Sequence, residues 1–505
     1  MAGRIVNFIK GHFIIPYALM ALFMLAFMFY QGGIASFWLD ELSLIGTITR
    51  DKGFFGILDQ YLRIDVTNLP FFPLAAALWY RIMPASDRVM LLLPEIAVAF
   101  TVVLSGLYSE KLLGRYAGFM SAGLSAVSST IILRCGFEFR SYAFLLCMCV
   151  LLLYSREKFS EKSFSVKSTQ GLYFILSVVL LLYTHYMGAI FLLGLASADC
   201  LFFCLKKRPV HSLFPYIIGG AAFLPWFILM LCMKEKSISS FWPAKPTLPK
   251  IVRVVRAMLS GNEALFVILL LSLILLAVRL CSVLANRAVL DKKLLDMLTL
   301  AWTGLFVLGS VFVYSAIINP SGGFFVNRYF VVIIPPAACL ISWGIVEFTD
   351  LFSFKGQRQR AECILVCMLF LLVYFGAVNL RTVREESGQS SETFREAAAW
   401  VLSRGGAELT AGKTAVVCSC NPRAAAGFTE YYLRRGGREP EISFVSLQGE
   451  EPVEELKKYD TLYVVTVHRE LDDLEQDIQD YISKNFEVVD GDTDVKAFLY
   501  RRLSR

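Results

Sequence analysis

Long apolar runs, broken by short charged loops, dominate the first three quarters of the chain. Residues 13–30 contain no charge at all. A stretch of about 18 or more apolar residues is long enough to cross the hydrocarbon core as a helix. Hydropathy and flanking charge together predict about eleven such spans. They fall near 13–30, 88–109, 116–134 and 141–155, two more lie within 171–205, and the rest fall near 213–233, 264–279, 297–318, 329–346 and 363–380. Arg4 and Lys10 precede the first span and place the N-terminus in the cytoplasm. "SEKLLGR", "REKFSEKSFSVK", "KKRPVH" and "KGQRQR" then fall in inside loops. No small-residue cleavage site follows the basic start, so the first run reads as a retained span rather than a signal peptide.

Two stretches break this pattern. Residues 31–87 form a long outer loop in which 69–83, apolar but short and bounded by prolines, reads as a helix lying in the membrane interface. After residue 385 the runs shorten and alternate. "SETFREAAAWVL" reads as helix, "TAVVCS" as strand, "RAAAGFTEYYLRR" as helix and "EISFVSL" as strand; "PVEELKKY", "TLYVVTV" and "ELDDLEQDIQDYI" continue the alternation. Alternating strands and helices predict an α/β layer with a largely parallel sheet. An odd number of spans puts this module outside. No glycine-rich turn joins its first strand to the following helix, which argues against a nucleotide site there.

Composition agrees with the pattern. The chain has 505 residues, 56% hydrophobic and 18% charged, with mean hydropathy +0.58; soluble domains carry about 25% charged residues. The expectation is a polytopic all-α membrane protein with a C-terminal extracytoplasmic α/β domain, divided into 1–384 and 385–505. The net charge of +7 sits mainly between spans and comes with no basic arm or nucleic-acid motif, so nucleic acid is not an expected partner. The twelve cysteines show no metal-ligand spacing, and most lie in apolar runs, where cysteine behaves as a small hydrophobe.

Four polar clusters fall on the outer side of the predicted topology: Asp40/Glu41, Glu138/Arg140/Tyr142, His185/Tyr186 and Asn327/Arg328/Tyr329. The outer loop 234–263 adds Lys234, Lys236, Lys245, Lys250, Arg253 and Arg256, against the positive-inside trend. Acids and cations on one face suit group transfer: a carboxylate can take the proton of an attacking hydroxyl, and arginine can grip a phosphate with two hydrogen bonds. A carboxylate beside a phosphate would also suit a hard divalent cation near Glu138, but no dedicated metal motif is present and no cofactor is assigned. Two acids lie inside predicted spans, where ionisable groups are functional candidates. Glu95, near an outer end, is placed to face a site cavity; Asp199, near an inner end and close to Lys206 and Lys207, reads as a structural ion pair.

The order of these motifs resembles the GT-C membrane glycosyltransferases of bacteria, related to protein O-mannosyltransferases and aminoarabinose transferases. The resemblance runs from "WLDE" through "NLPFFP" and "EFRSY" to "THY" and covers roughly residues 10–380. Where that family usually has two adjacent prolines after the asparagine, this chain reads "NLPFFP". The resemblance implies sugar transfer from a polyprenyl-phosphate donor to a glycan, lipid or protein acceptor at the outer face of the plasma membrane. It puts Asp40 forward as base, with Glu41 and Glu138 as further catalytic candidates. Arg140, Tyr142, His185, Tyr186, Arg328, Tyr329, Arg253 and Arg256 are the implied substrate contacts. Two other classes compete: a flippase of lipid-linked sugars, which would be expected to carry mid-membrane polar groups and inverted repeats, and a non-catalytic scaffold that binds envelope glycan.

Overall fold

The computed structural model describes residues 14–32, 35–49, 53–64, 69–161, 165–232, 246–318, 325–350, 357–387, 392–410, 412–434 and 441–503. Arg4, Lys10, Asn68, Lys234, Lys236 and Lys245 lie outside the described residues. By its internal contacts the chain divides into two units. One comprises 1–30, 65–71 and 94–385; the other comprises 31–64, 72–93 and 386–505.

The first unit is a helical membrane bundle, and the protein is a multi-pass membrane protein. Among the described residues eight helices are long and apolar enough to cross a membrane, or nine if the pair Arg115–Ala126 and Ser129–Gly136, bent by 50°, is one span. Eight or nine of the roughly eleven expected spans therefore meet that standard: 116–134 does so only as the bent pair, broken at 127–128, and two further expected segments fall short. Tyr142–Glu161 carries Arg156, Glu157 and Lys158 in its last turns, and Thr169–Leu182 has 14 residues. Phe71–Ile82, expected at the interface, is a helix of 12 residues. The helices differ in what surrounds them. Asn327–Thr349 is almost wholly enclosed by protein, whereas Glu263–Ala285 and Glu362–Glu386 bury only a minor face. The apolar remainder suits lipid, where small residues rather than hydrophobic exclusion allow helices to approach closely. Gly344 is such a contact: a Cβ there would lie 1.9 Å from Ser272 Oγ.

The second unit joins the long loop to the C-terminal domain. Its sheet has the order β2-β1-β3-β5-β4, with β1 at Thr414–Cys418, β2 at Phe444–Ser446, β3 at Thr461–Val465, β4 at Phe486–Asp492 and β5 at Ala497–Arg502. The first three strands pair in parallel, as the alternation predicts, but β5 and β4 add antiparallel. The sheet is therefore mixed rather than largely parallel. Ala415, Val417, Leu462 and Val464 pack under Ile478 and Ile482 of the Gln476–Asn485 helix.

The loop enters this unit through a close helix crossing. Leu39–Thr47 packs on Pro422–Phe428 with Gly46 and Gly427 at the contact. A Cβ on Gly46 would lie 2.0 Å from the Arg423 carbonyl oxygen, and one on Gly427 would lie 1.9 Å from that of Leu42. Neither backbone oxygen can move aside as a side chain would. Gly427→Ala is accordingly expected to lower stability by about 1–3 kcal/mol, read as an earlier thermal transition in detergent; an unchanged transition would mean that the crossing is looser than the structure has it.

Candidate functional site

In the second unit, the acid pair opens the Leu39–Thr47 helix, and its two members are used differently. Glu41 is 2% exposed, and its Oε2 accepts from the Trp38 N–H at 3.0 Å. That bond satisfies one of the amides a helix start leaves without an internal partner. Asp40, one residue earlier, is only half-buried. Both acids occupy the first turn, where the helix dipole favours negative charge. Glu41 is thus occupied by its own helix start, whereas Asp40 as a residue keeps partial exposure.

Nearby in the same unit, Tyr432 Oη accepts from the Phe37 N–H at 2.9 Å and donates to Asp87 Oδ2 at 3.1 Å. Arg395 reaches the same Asp87 oxygen at 3.3 Å. With Ser86, Arg88 and Tyr431 these groups line a cavity of about 300 Å³. Burial, followed by the Asp87 charge, pushes the Tyr431 and Tyr432 hydroxyls well above the usual tyrosine range, so both remain neutral hydrogen-bonding groups. The sequence reading passed over this cluster, because Asp87 and Tyr432 look like an ordinary helix start and a helix-face tyrosine.

In the first unit, an aromatic nest gathers at one end of the spans. His185 lies with ring centroids 4.3 Å from Tyr186, 5.6 Å from Tyr142 and 5.7 Å from Tyr329. The Asn327–Ile333 turn holds them together, since it packs against Tyr142–Glu161, Tyr186–Cys204 and Leu248–Met258. His185 caps the Tyr186–Cys204 helix, its Nδ1 accepting from the Met187 N–H at 3.1 Å. The ring can do this only while Nδ1 carries no proton.

Arginine charge concentrates beside the nest. Glu138 Oε1 lies 3.4 Å from Arg134 Nη1, while its Oε2 is buried and meets no hydrogen-bond partner among the described residues. Burial raises the Glu138 carboxyl above the usual carboxylate range, against the opposing charges of Arg134, Arg328 and Arg140. Burial, followed by Arg140 and Arg328, holds the His185 imidazole down at about 3. Surroundings of this kind favour an anion over a metal cation. No group of three or more His, Cys, Asp or Glu side chains placed to hold a metal occurs among the described residues.

The His185 shift has a measurable consequence. Its folded pKa is depressed, so its contribution to stability is complete above about pH 6.5 and is lost as pH falls toward about 3. His185→Asn keeps a capping acceptor but does not titrate. Wild type should lose about 2–3 kcal/mol relative to this variant between pH 7 and pH 4. Parallel stability curves over that range would exclude a buried neutral imidazole.

The two arginines of the basic outer loop divide. Arg253 is exposed on Leu248–Met258. Arg256 pairs with Glu263 at 3.2 Å and stacks on Phe266 at 5.0 Å, so it ties this helix to the next. Glu95 is fully buried on Asp87–Leu113. Asp199 is an ion-pair residue, but not with Lys206 and Lys207, which are exposed; its partners are Arg156 at 2.6 Å, Arg208 at 3.4 Å and Tyr216 at 2.8 Å.

The aminoarabinose transferase ArnT from Cupriavidus metallidurans, solved with undecaprenyl phosphate, superposes with TM-score 0.58 over 96% of this chain and 98% of its own, at 11% identity. The oligosaccharyltransferase AglB from Archaeoglobus fulgidus, solved with an inhibitory peptide and a dolichol-phosphate, superposes with TM-score 0.52 over 91% of this chain and 70% of its own, at 12% identity. This is the GT-C fold. No protein-family model matches the chain, and no curated protein matches it in sequence. At such identities the likeness is one of architecture.

Proposed function

We propose that the protein is a membrane glycosyltransferase that moves a sugar from a polyprenyl-phosphate donor to an acceptor at the extracytoplasmic face. The observation that carries the reading is the GT-C architecture along the whole of ArnT, a protein solved with undecaprenyl phosphate. In this orientation the N-terminus is cytoplasmic and the C-terminal domain is outside. The donor tail lies among the apolar helices and its head group faces outward.

Asp40 takes the proton of the acceptor hydroxyl as that oxygen attacks the anomeric carbon. The bond from that carbon to the phosphate oxygen breaks in the same step, and the phosphate leaves with its electron pair. A single displacement inverts the anomeric centre. Arg140 and Arg328 offset the phosphate charge, and the neutral His185 with Tyr142, Tyr186 and Tyr329 supplies hydrogen-bonding and stacking surface for the head group. Arg253 adds charge at the membrane surface. No step is assigned to a metal, because the charges around Glu138 are guanidinium groups.

The test is turnover by the purified full chain in nanodiscs, offered a panel of radiolabelled polyprenyl-phosphate sugars with glycan, lipid and peptide acceptors. Release or transfer of label with inversion supports the reading. Movement of the donor across the bilayer without release would replace it with a flippase.

A further inference from the structure

The segment that enters the C-terminal domain turns back onto the acid-pair helix. Ser36 Oγ donates to the Glu392 carbonyl oxygen at 2.5 Å, and the Leu39 N–H donates to Glu392 Oε2 at 2.7 Å. The other oxygen, Glu392 Oε1, lies 3.1 Å from His468 Nδ1. His468 belongs to the loop that leaves β3 at its carboxyl end. Three consecutive amides at the helix entrance are therefore each held by a different side chain: Phe37 by Tyr432, Trp38 by Glu41 and Leu39 by Glu392. Two of these three side chains come from beyond residue 385, more than 350 positions away in sequence.

We propose that Glu392, steadied by His468, is a positioning residue for Asp40. It acts through the Leu39 amide and makes the C-terminal domain part of the transfer machinery. The inference rests on the reading of Asp40 as base. A helix start frays when its exposed amides lose their acceptors. Asp40 follows Leu39 directly, so fraying there redirects the Asp40 carboxylate. A carboxylate acceptor at a helix N-terminus is both charge-assisted and favoured by the dipole. His468 contacts the oxygen that Leu39 does not use, which holds the carboxyl in the orientation the amide needs.

The experiment compares Glu392→Ala with Glu392→Gln in the full chain in nanodiscs. Glutamine keeps a carbonyl oxygen for Leu39 and an amide group for His468; alanine keeps neither. Misplacing a reacting group by about 1 Å can cost about 100-fold. Glu392→Ala should therefore lower kcat by roughly 30- to 100-fold with the donor KM within about threefold, and Glu392→Gln should stay within about threefold of wild type in both. Hydrogen exchange of the amides in 36–42 should be roughly tenfold faster in Glu392→Ala and unchanged in Glu392→Gln. Wild-type kcat in Glu392→Ala would overturn the proposal, as would unchanged exchange in that segment. A wild type that turns over no donor would sink the enzyme reading alone, and the exchange data would still decide whether Glu392 holds this helix.

Discussion

Asp40→Asn should lower sugar transfer by about 10²–10⁴-fold and leave donor affinity near the wild-type value. Asparagine keeps the shape of the side chain and its place in the first helical turn but cannot accept the acceptor's proton. The neighbouring acid supplies the control. Glu41 is buried and holds the Trp38 amide, and glutamine can hold it too, so Glu41→Gln should retain most activity. Glu41→Ala should instead cost about 1 kcal/mol of stability, as expected for a lost helix cap. A base is thus separated from a cap at adjacent positions. The measurement is single-turnover transfer with saturating donor, alongside donor binding by the same variants. Equal transfer in wild type and Asp40→Asn would remove Asp40 as base and turn attention to Glu138, whose raised carboxyl is also suited to proton transfer. If transfer is lost only together with donor binding, Asp40 belongs to ground-state recognition instead.

The spans were legible because their signal is local: an apolar run of sufficient length has few alternatives to a helix in lipid. The parallel half of the sheet was legible for a similar reason, since helix and strand periods alternate from "TAVVCS" to "TLYVVTV". Its antiparallel half was carried by "FEVVDGD" and "AFLYRR", two strand-like runs about a turn of "TDVK". That is a readable hairpin signal. The partner of the first outer loop was not readable at all. Gly46 and Gly427 are single glycines in unrelated helical stretches, and nothing local says that each backbone will press on the other. The candidate residues were partly legible. Polar groups at the ends of predicted spans pointed to His185, Tyr142, Tyr186 and Tyr329, and these rings do meet. Which of two adjacent acids would be enclosed by its own helix, and that Arg256 would turn to Glu263, depended on contacts that only the folded chain defines.

Charge between spans hid the other non-local feature. Arg156 and Arg208 sit in loops and helix ends that read as positive-inside signals, yet both are buried. Arg156 meets Asp199 with two hydrogen bonds, at 2.9 and 2.6 Å, and approaches Asp296 at 3.6 Å. Arg208 meets Asp296 at 2.6 Å, and Tyr216 donates to Asp199 at 2.8 Å. Two cations and two anions balance, and they join Tyr142–Glu161, Tyr186–Cys204, Phe214–Cys232 and Lys292–Val313. Arg156 lies fourteen residues along its helix from Tyr142, about 21 Å at 1.5 Å per residue, so this network pins the end of the bundle opposite the aromatic nest. Arg156→Ala should cost about 3–5 kcal/mol, because Asp199 would keep its burial and lose its bidentate partner. The double change Arg156→Leu with Asp199→Leu should recover much of that loss, since a matched apolar pair of similar volume often equals or exceeds a buried ion pair. Thermal inactivation in one detergent decides between these expectations. A double variant as unstable as Arg156→Ala would mean that the network sets the register of the four helices, a role that apolar packing cannot replace. A stable double variant with wild-type transfer would make the network a balanced burial of charge and leave register to the packing of the helices themselves.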